Sequence, residues 1–327
     1  SARDVALRAQ VSVAIVSGAL NGIENVSDQT RARVTAAAAE LGYVPHAGAR
    51  SLSLAKTHAI GVVLPDLHGE FFSEIVRGMD REASDRGYLL LLSNMHADPR
   101  QAAMALRTMR GRVDGLMVMA PHLGEAAIRE ALPPGLPVVL LNTRASIAGR
   151  PSIRVDNRGG AAAVAEHLAA TGRKRIVHIA GPRDNIDAQE RADAFCDTLS
   201  RHKGVASQVM QGDFSEESGF AAVTELVRSG RSFDAVFAAN DMMAIGALQA
   251  LREHGLAVPA DVAVAGFDDI PLARHLGLTT VDVHIAELGR RAVDRLVPML
   301  GTGQQADGGE ELHAPALVIR ATTARQA

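Results

Sequence analysis

From residue 58 onward, short apolar runs alternate with amphipathic stretches almost without interruption. That alternation restricts the fold more than any other feature of the chain. The apolar runs are Ile60–Leu64, Tyr88–Leu92, Gly115–Met119, Val138–Leu141, Ile153–Val155, Ile176–Ala180, Ala235–Ala238 and Val262–Ala265. Stretches with helical spacing separate most of them, among them Phe72–Arg86, Gly160–Thr171 and Ala188–His202. Apolar strands separated by helices form parallel sheets covered on both faces. The pattern restarts near residue 157. The expected fold is therefore α/β, with two doubly wound parallel-sheet lobes. A ligand is expected between them, outside the carboxyl ends of the strands.

Such a body could carry an enzyme, but the motifs for one are missing. There is no Gly-x4-Gly-Lys-Ser/Thr loop, no Gly-x-Gly-x-x-Gly after a strand, and no His-Glu-x-x-His or Cys-x-x-Cys set. No catalysis, cofactor or metal is expected. The twelve histidines are scattered, and His167, His178 and His202 are expected in structural positions. Asp268 and Asp269 are adjacent at a strand end, so their side chains should point apart. The one cysteine, Cys196, excludes an internal disulfide and fits a reducing compartment. No apolar run approaches the roughly 20 residues of a membrane span, so no membrane partner is expected and the location is read as cytoplasmic.

Residues 1–43 follow a different pattern. Ser1 and Asp4 have capping-box spacing, Ser12 and Ser27 stand as N-caps, and Gly42 ends the last helix. Val16 and Leu20 share one face of the second helix, and Val34, Ala38 and Leu41 mark the buried stripe of the third. Two short helices, a tight turn and a supporting helix make a helix-turn-helix pattern. Residues 1–57 carry six basic and four acidic side chains, so charge alone does not identify a nucleic-acid binder. Between head and body lies a joint at residues 44–57. Pro45 stops the preceding helix, and Ala47–Leu54 could form about two helical turns, marginal without a packing partner.

At this point a resemblance becomes specific. Asp4-Val5-Ala6, Val11-Ser12-Val13-Ala14, Val16-Ser17, Leu20-Asn21-Gly22, Val26-Ser27, Thr30-Arg31 and Leu41-Gly42-Tyr43-Val44-Pro45 resemble the head of the lactose-repressor/galactose-repressor family, and Ala49-Arg50-Ser51-Leu52 resembles its hinge helix. The resemblance implies that Val13 and Ala14 face base edges by apolar contact. It implies that Ser12, Ser17, Asn21, Ser27 and Thr30 belong to the DNA-contacting surface, most of them holding phosphates, with Arg50 and Leu52 contributed by the hinge. Leu52 would be the wedge that unstacks a central base step. Three positions depart from the family: Gln10 replaces the glycine of the turn, Ile15 a threonine, and Gly18 an arginine that reaches DNA. Weaker or more hinge-dependent DNA binding is expected, with Gly18→Arg tightening it.

The body resembles the same family nearly end to end, through Pro65-Asp66, Phe71-Phe72, Val155-Asp156-Asn157-Arg158, Gly181-Pro182, Glu190-Arg191, Gly212-Asp213-Phe214, Ala239-Asn240-Asp241 and Gly266-Phe267-Asp268-Asp269. The implied fold is two periplasmic-binding-protein-like lobes behind a small all-α head. Boundaries are expected at 1–44 (head), 45–57 (hinge) and 58–327 (body), with lobe one at about 58–156 plus 285–311 and lobe two at about 157–284 plus 312–327. The implied effector residues are Phe72 and Asn142 from the first lobe, and Arg191, Phe214, Asn240 and Asp268 from the second. Asn240 and Asp268 would accept from ligand hydroxyls. Phe71 is expected in the core, Asp241 and Asp156 as helix caps. Arg144 beside Asn142 would favour a sugar acid if both it and Arg191 face the cleft. The dimer face is expected to include residues 70–86. The implied protein is a homodimeric transcriptional regulator, a repressor of a palindromic operator, with a sugar or sugar-acid effector. The alternative is a periplasmic sugar-binding protein whose first 20 residues form an export signal.

Overall fold

The computed structural model describes residues 1–20, 26–44, 56–143, 147, 149–301 and 308–324. Asn21, Arg50, Leu52, Arg144 and most of the joint lie outside the described residues. The chain forms two compact units, Ser1–His58 and Ala59–Ala327.

The first unit holds α1 (Ala2–Ala9), α2 (Val13–Leu20) and α3 (Asp28–Glu40). Each boundary has a local cause. The Asp4 carboxylate accepts from the backbone nitrogen of Ser1 at 2.8 Å and from its hydroxyl at 2.9 Å. Ser12 Oγ accepts from the Ile15 amide at 3.3 Å, and Ser27 Oγ from the Thr30 amide at 3.3 Å. Gly42, at φ +58°, closes α3, and the Tyr43 amide returns to the Ala38 carbonyl at 2.8 Å. The small core consists of Val5, Ala6, Ala9, Val16, Ala19, Val34, Ala37 and Ala38. Leu41 is not part of it: α3 stops one residue earlier, and Leu41 is 47% exposed.

In the second unit the strands in chain order are β1 (Ala59–Leu64), β2 (Leu89–Asn94), β3 (Gly115–Met119), β4 (Val138–Leu141), β5 (Ser152–Val155), β6 (Arg175–Ala180), β7 (Ala206–Gln211), β8 (Ala235–Ala238), β9 (Ala263–Ala265), β10 (Thr280–Asp282), β11 (Glu310–His313) and β12 (Ala316–Val318). The helices are α4 (Glu70–Asp85), α5 (Pro99–Met109), α6 (Glu125–Ala131), α7 (Asn157–Ala170), α8 (Ile186–Leu199), α9 (Glu216–Arg228), α10 (Asp241–Glu253), α11 (Pro271–His275) and α12 (Ile285–Leu296). One parallel sheet has the order β11-β5-β4-β3-β1-β2 and the other β7-β6-β8-β9, while β10 pairs antiparallel with β12. The chain therefore passes between the two lobes three times, after β5, after β10 and after β11.

All eight apolar runs are strands, and the runs at 115–119, 138–141 and 235–238 coincide with theirs residue for residue. Four strands escape a hydrophobicity reading. β7 is a half-exposed edge strand with few apolar residues. β11 carries Glu310 and Glu311, the latter paired with Arg291 and with Arg295 at 2.7 Å. β10 and β12 are three residues each. The closing helix α12 is seated on α4 by two glycines. A Cβ at Gly78 would fall on the Ala286 carbonyl, and one at Gly289 on the Ile75 carbonyl.

The apolar side of α4 (Ile75, Met79, Ala83) is thus consumed inside its own lobe. Exposed apolar side chains of this lobe include Leu89, Leu91 and Leu92 on edge strand β2 with Met104 on neighbouring α5, as well as Leu67 and Leu312.

His178, on β6, is fully buried between the rings of Phe195 and Phe237, at centroid distances of 5.1 and 4.6 Å. Its Nδ1 pairs with the Phe237 carbonyl at 2.9 Å. Burial pushes its pKa down to about 4, from 6.5. A histidine whose folded pKa is depressed binds fewer protons folded than unfolded. Its stabilising contribution is complete above pH 6.5 and is lost as pH falls toward 4. The loss should total about 3 kcal/mol. Urea unfolding of His178→Phe is expected to lack this component, falling less steeply between pH 7 and 4 than the parent protein.

Candidate functional site

A cleft of about 490 Å³ lies between the lobes of the second unit. Phe72, Asn142, Arg191, Phe214, Asn240 and Asp268, the six residues expected at the effector site, all line it. Strand ends place them: Asn142 follows β4, Asn240 follows β8, and Asp268 follows β9. Three adopt left-handed backbone conformations, Asn142 at φ 42°, Phe214 at φ 74° and Asp268 at φ 111°. Such conformations in non-glycine residues cluster where a binding geometry is imposed by surrounding structure. The Phe214 ring lies directly over Gly181, where any Cβ would collide with it.

Arg191 is the centre of the polar floor and is 5% exposed. Its Nε donates to Asn157 Oδ1 at 2.8 Å and its Nη1 to the Ala239 carbonyl at 2.6 Å. The guanidinium stands 3.8 Å from the centre of the Phe267 ring and 3.6 Å from the Asp268 carboxylate. Burial pushes the Asp268 pKa up to about 7, although Arg191 pulls it down. Asp187 lies one turn before Arg191 on α8. Its carboxylate accepts from Asn157 Nδ2 at 2.8 Å, and burial raises its pKa as well. The lobes touch around this floor. The Ile186 amide donates to the Pro121 carbonyl at 3.0 Å, and the Leu272 amide to Glu70 at 2.9 Å. Arg154 of β5 pairs with Glu190 of α8 at 2.5 Å.

Several local roles differ from the sequence expectation. Asn240 is the N-cap of α10: its Oδ1 accepts from the Met243 amide at 3.0 Å, and its Nδ2 donates to the Phe214 carbonyl at 3.0 Å. Its Oδ1 keeps a second lone pair and lines the cleft. Asp241 does not cap that helix. It is fully buried and accepts from the Ile270 amide at 2.9 Å and the Thr280 hydroxyl at 2.6 Å. Phe71 packs against the core as expected and also lines the cleft beside Phe72, edge to face at 5.3 Å. Asp156 does cap α7, accepting from the Gly159 amide at 2.8 Å. Asp268 and Asp269 diverge: Asp269 turns to Arg320 in a double hydrogen bond of 2.7 and 2.9 Å. Asp187 and Asn157 were missed. The spacing of Asp187 four residues before Arg191 was the available signal.

In the head, Ser12, Val13, Ala14 and Ile15 form an exposed face of α2, Ser17 is half-buried and Gly18 is buried. That face carries no charge. Ser27 is exposed and Thr30 half-buried, and their hydroxyls bond each other at 2.9 Å. Arg31 clamps the end of α2 through the Ala19 carbonyl at 2.7 Å. Gln10 sits at φ 52° and ψ 49°, the left-handed conformation that favours glycine. Gln10→Gly should therefore stabilise the head by about 1 kcal/mol, read as slower amide exchange in residues 2–20.

A three-helix head with a capped, exposed second helix, and a bilobal body with a polar cleft, define a DNA-binding regulator joined to a sugar-binding-type module. Residues 1–46 match the model described as bacterial regulatory proteins, lacI family. Residues 57–322 match that described as periplasmic binding proteins and sugar binding domain of LacI family. The chain belongs to the LacI family of transcriptional regulators. The match over residues 1–46 removes the reading of the first 20 residues as an export signal. Among its relatives, the HTH-type transcriptional repressor CytR of Escherichia coli K12 is 34% identical over 330 residues, spanning 98% of this chain and 95% of the relative. The ribose operon repressor of the same organism is 37% identical over 305 residues, spanning 90% and 91%. A crystal structure of the lac repressor dimer bound to operator and the anti-inducer ONPF superposes with a TM-score of 0.84 at 32% identity, covering 98% of each chain. Among the described residues no helix is long and apolar enough to cross a membrane.

Proposed function

We propose that the protein is a cytoplasmic repressor that grips a palindromic operator as a homodimer and is released or recruited by a sugar bound in the cleft. It carries no enzymatic activity in this reading. The observation that carries it is the convergence of six side chains, separate in sequence, on one cleft in a chain that also carries a helix-turn-helix head. Val13 and Ala14 meet base edges. Ser12, Ser17, Asn21, Ser27 and Thr30 hold the backbone, and Arg50 and Leu52 act from the joint. In the cleft, Phe71, Phe72 and Phe214 supply apolar walls for a sugar face, while Asp268 and Arg191 meet hydroxyls. Effector and operator must couple reciprocally, since each can shift the equilibrium only by its differential affinity.

Selection of full-length protein on a random duplex library tests this. The expected result is one palindromic consensus, with retention altered by a member of a pentose and hexose panel that includes D-ribose. Enrichment without two-fold symmetry would exclude the dimeric repressor. Hydrogen exchange at residues 46–54, equal with and without the selected operator, would exclude a hinge that becomes helical on DNA.

A further inference from the structure

Four helices start at the cleft: Gly69, Asn185, Ser215 and Asn240, the N-caps of α4, α8, α9 and α10, all line it. Helix N-termini ordinarily welcome anions, because unpaired amides and the helix dipole converge there. Here each of the four has an acidic residue in its first turn, Glu70, Asp187, Glu216 with Glu217, and Asp241, although Glu70, Asp187 and Asp241 bond to groups outside their own helices. The cleft lining adds Asp66, Asp184 and Asp213 at the rim and Asp268 on the floor. Asp66, Asp184, Asp187, Asp213 and Asp268 are the acidic side chains of the lining; facing them among the described residues are Arg191 and the histidines His68, His96 and His122, the last held toward its neutral form by burial. The Arg191 charge is already matched by Asp268 at 3.6 Å and shared with the Phe267 ring. Asp187, 8% exposed, stands on the other side of the same network through Asn157. The floor thus has two buried carboxylates around one guanidinium.

We infer that the cleft selects its sugar by charge. It takes an uncharged polyhydroxyl ligand and rejects the corresponding carboxylate or phosphate, with Asp187 as the principal enforcing residue. This rests on the sugar-cleft reading above. Among the described residues, an incoming anion finds no lining arginine or lysine without a carboxylate partner, and three of the four helix starts have an amide already taken by the side chain of Asn185, Ser215 or Asn240. It must instead pass Asp66, Asp184 and Asp213 at the entrance and, at a pH where they are ionised, approach Asp268 and Asp187 on the floor, where like charges repel more strongly than in water. Hydroxyl donors meet the opposite situation, since ionised carboxylates are acceptors only. Asp66, Asp184 and Asp213 are exposed and extend the same negative field to the entrance.

Isothermal titration of the full-length protein with matched pairs tests the inference: D-glucuronamide against D-glucuronate, D-galacturonamide against D-galacturonate, and D-ribose against D-ribose 5-phosphate. The amide and acid of each uronic pair have nearly the same shape, so their difference isolates charge. In any pair that binds, the neutral member is expected to bind at least tenfold more tightly. In Asp187→Asn, which keeps the acceptor for Asn157, that ratio should shrink at least threefold. Equal or tighter binding of the anion in the parent protein overturns the charge rule. An unchanged ratio in Asp187→Asn overturns the part given to Asp187. Binding of none of the six compounds overturns the sugar-cleft reading itself, which separates the two failures.

Discussion

Arg191→Met should destabilise the second unit by about 3–5 kcal/mol at pH 8, the usual result of removing one partner from a buried ion pair. Arg191 pairs with Asp268 at 3.6 Å. Without it, Asp268 and Asp187 are left in a site where burial already drives both pKa values upward. A carboxyl whose folded pKa exceeds its unfolded value is charged more readily in the unfolded chain. Its burden therefore grows as pH rises and vanishes once the group is protonated in both states. Arg191 lowers the Asp268 pKa, so its removal moves that pKa further above the present value of about 7. Urea unfolding of the variant should show a deficit at pH 8 that shrinks at lower pH. Arg191→Met combined with Asp268→Asn should recover part of it. A deficit that does not change with pH would mean that packing on Phe267, rather than charge, is what Arg191 supplies. Any sugar response of operator binding is expected to disappear in the single variant.

Leu89→Asp combined with Leu91→Asp should convert the protein to a monomer in sedimentation and weaken operator binding by at least about 100-fold, through loss of paired binding. The two leucines are two residues apart on β2, so they share a face. They are 72% and 39% exposed at the edge of the six-stranded sheet. An unpaired strand edge with apolar side chains is a template for association. No helix of its own lobe covers these leucines, whereas the apolar side of α4 is packed inside. Thermal unfolding of each protomer should change little, because neither side chain is part of a core. A dimer of undiminished affinity would move the interface away from β2.

Much of the body could be read in advance because its determinants are local or periodic. Buried parallel strands are continuous apolar runs, and eight of them stand out against helical spacing. Caps at Ser12, Ser27 and Asp156 need only residues three apart, as their hydrogen bonds show. The list of cleft residues came from resemblance, and the cleft does gather them. Their individual partners were not legible. Asn240 became a helix cap because the chain after β8 turns there, and Asp241 went inward to meet Ile270 and Thr280, residues that sequence separation hides. Phe71 faces the cleft because the start of α4 is directed toward the second lobe.

Side-chain periodicity, turn residues and capping chemistry alone determined that this chain would make a three-helix head and a bilobal α/β body. Those signals act over a few residues and survive without knowledge of what lies opposite. The electrostatic character of the cleft was decided only by folding. Four helix starts and the ends of strands from two lobes had to converge before their carboxylates could be weighed against a single buried guanidinium. Charge balance depends on distance and desolvation, and neither exists until distant segments are packed together.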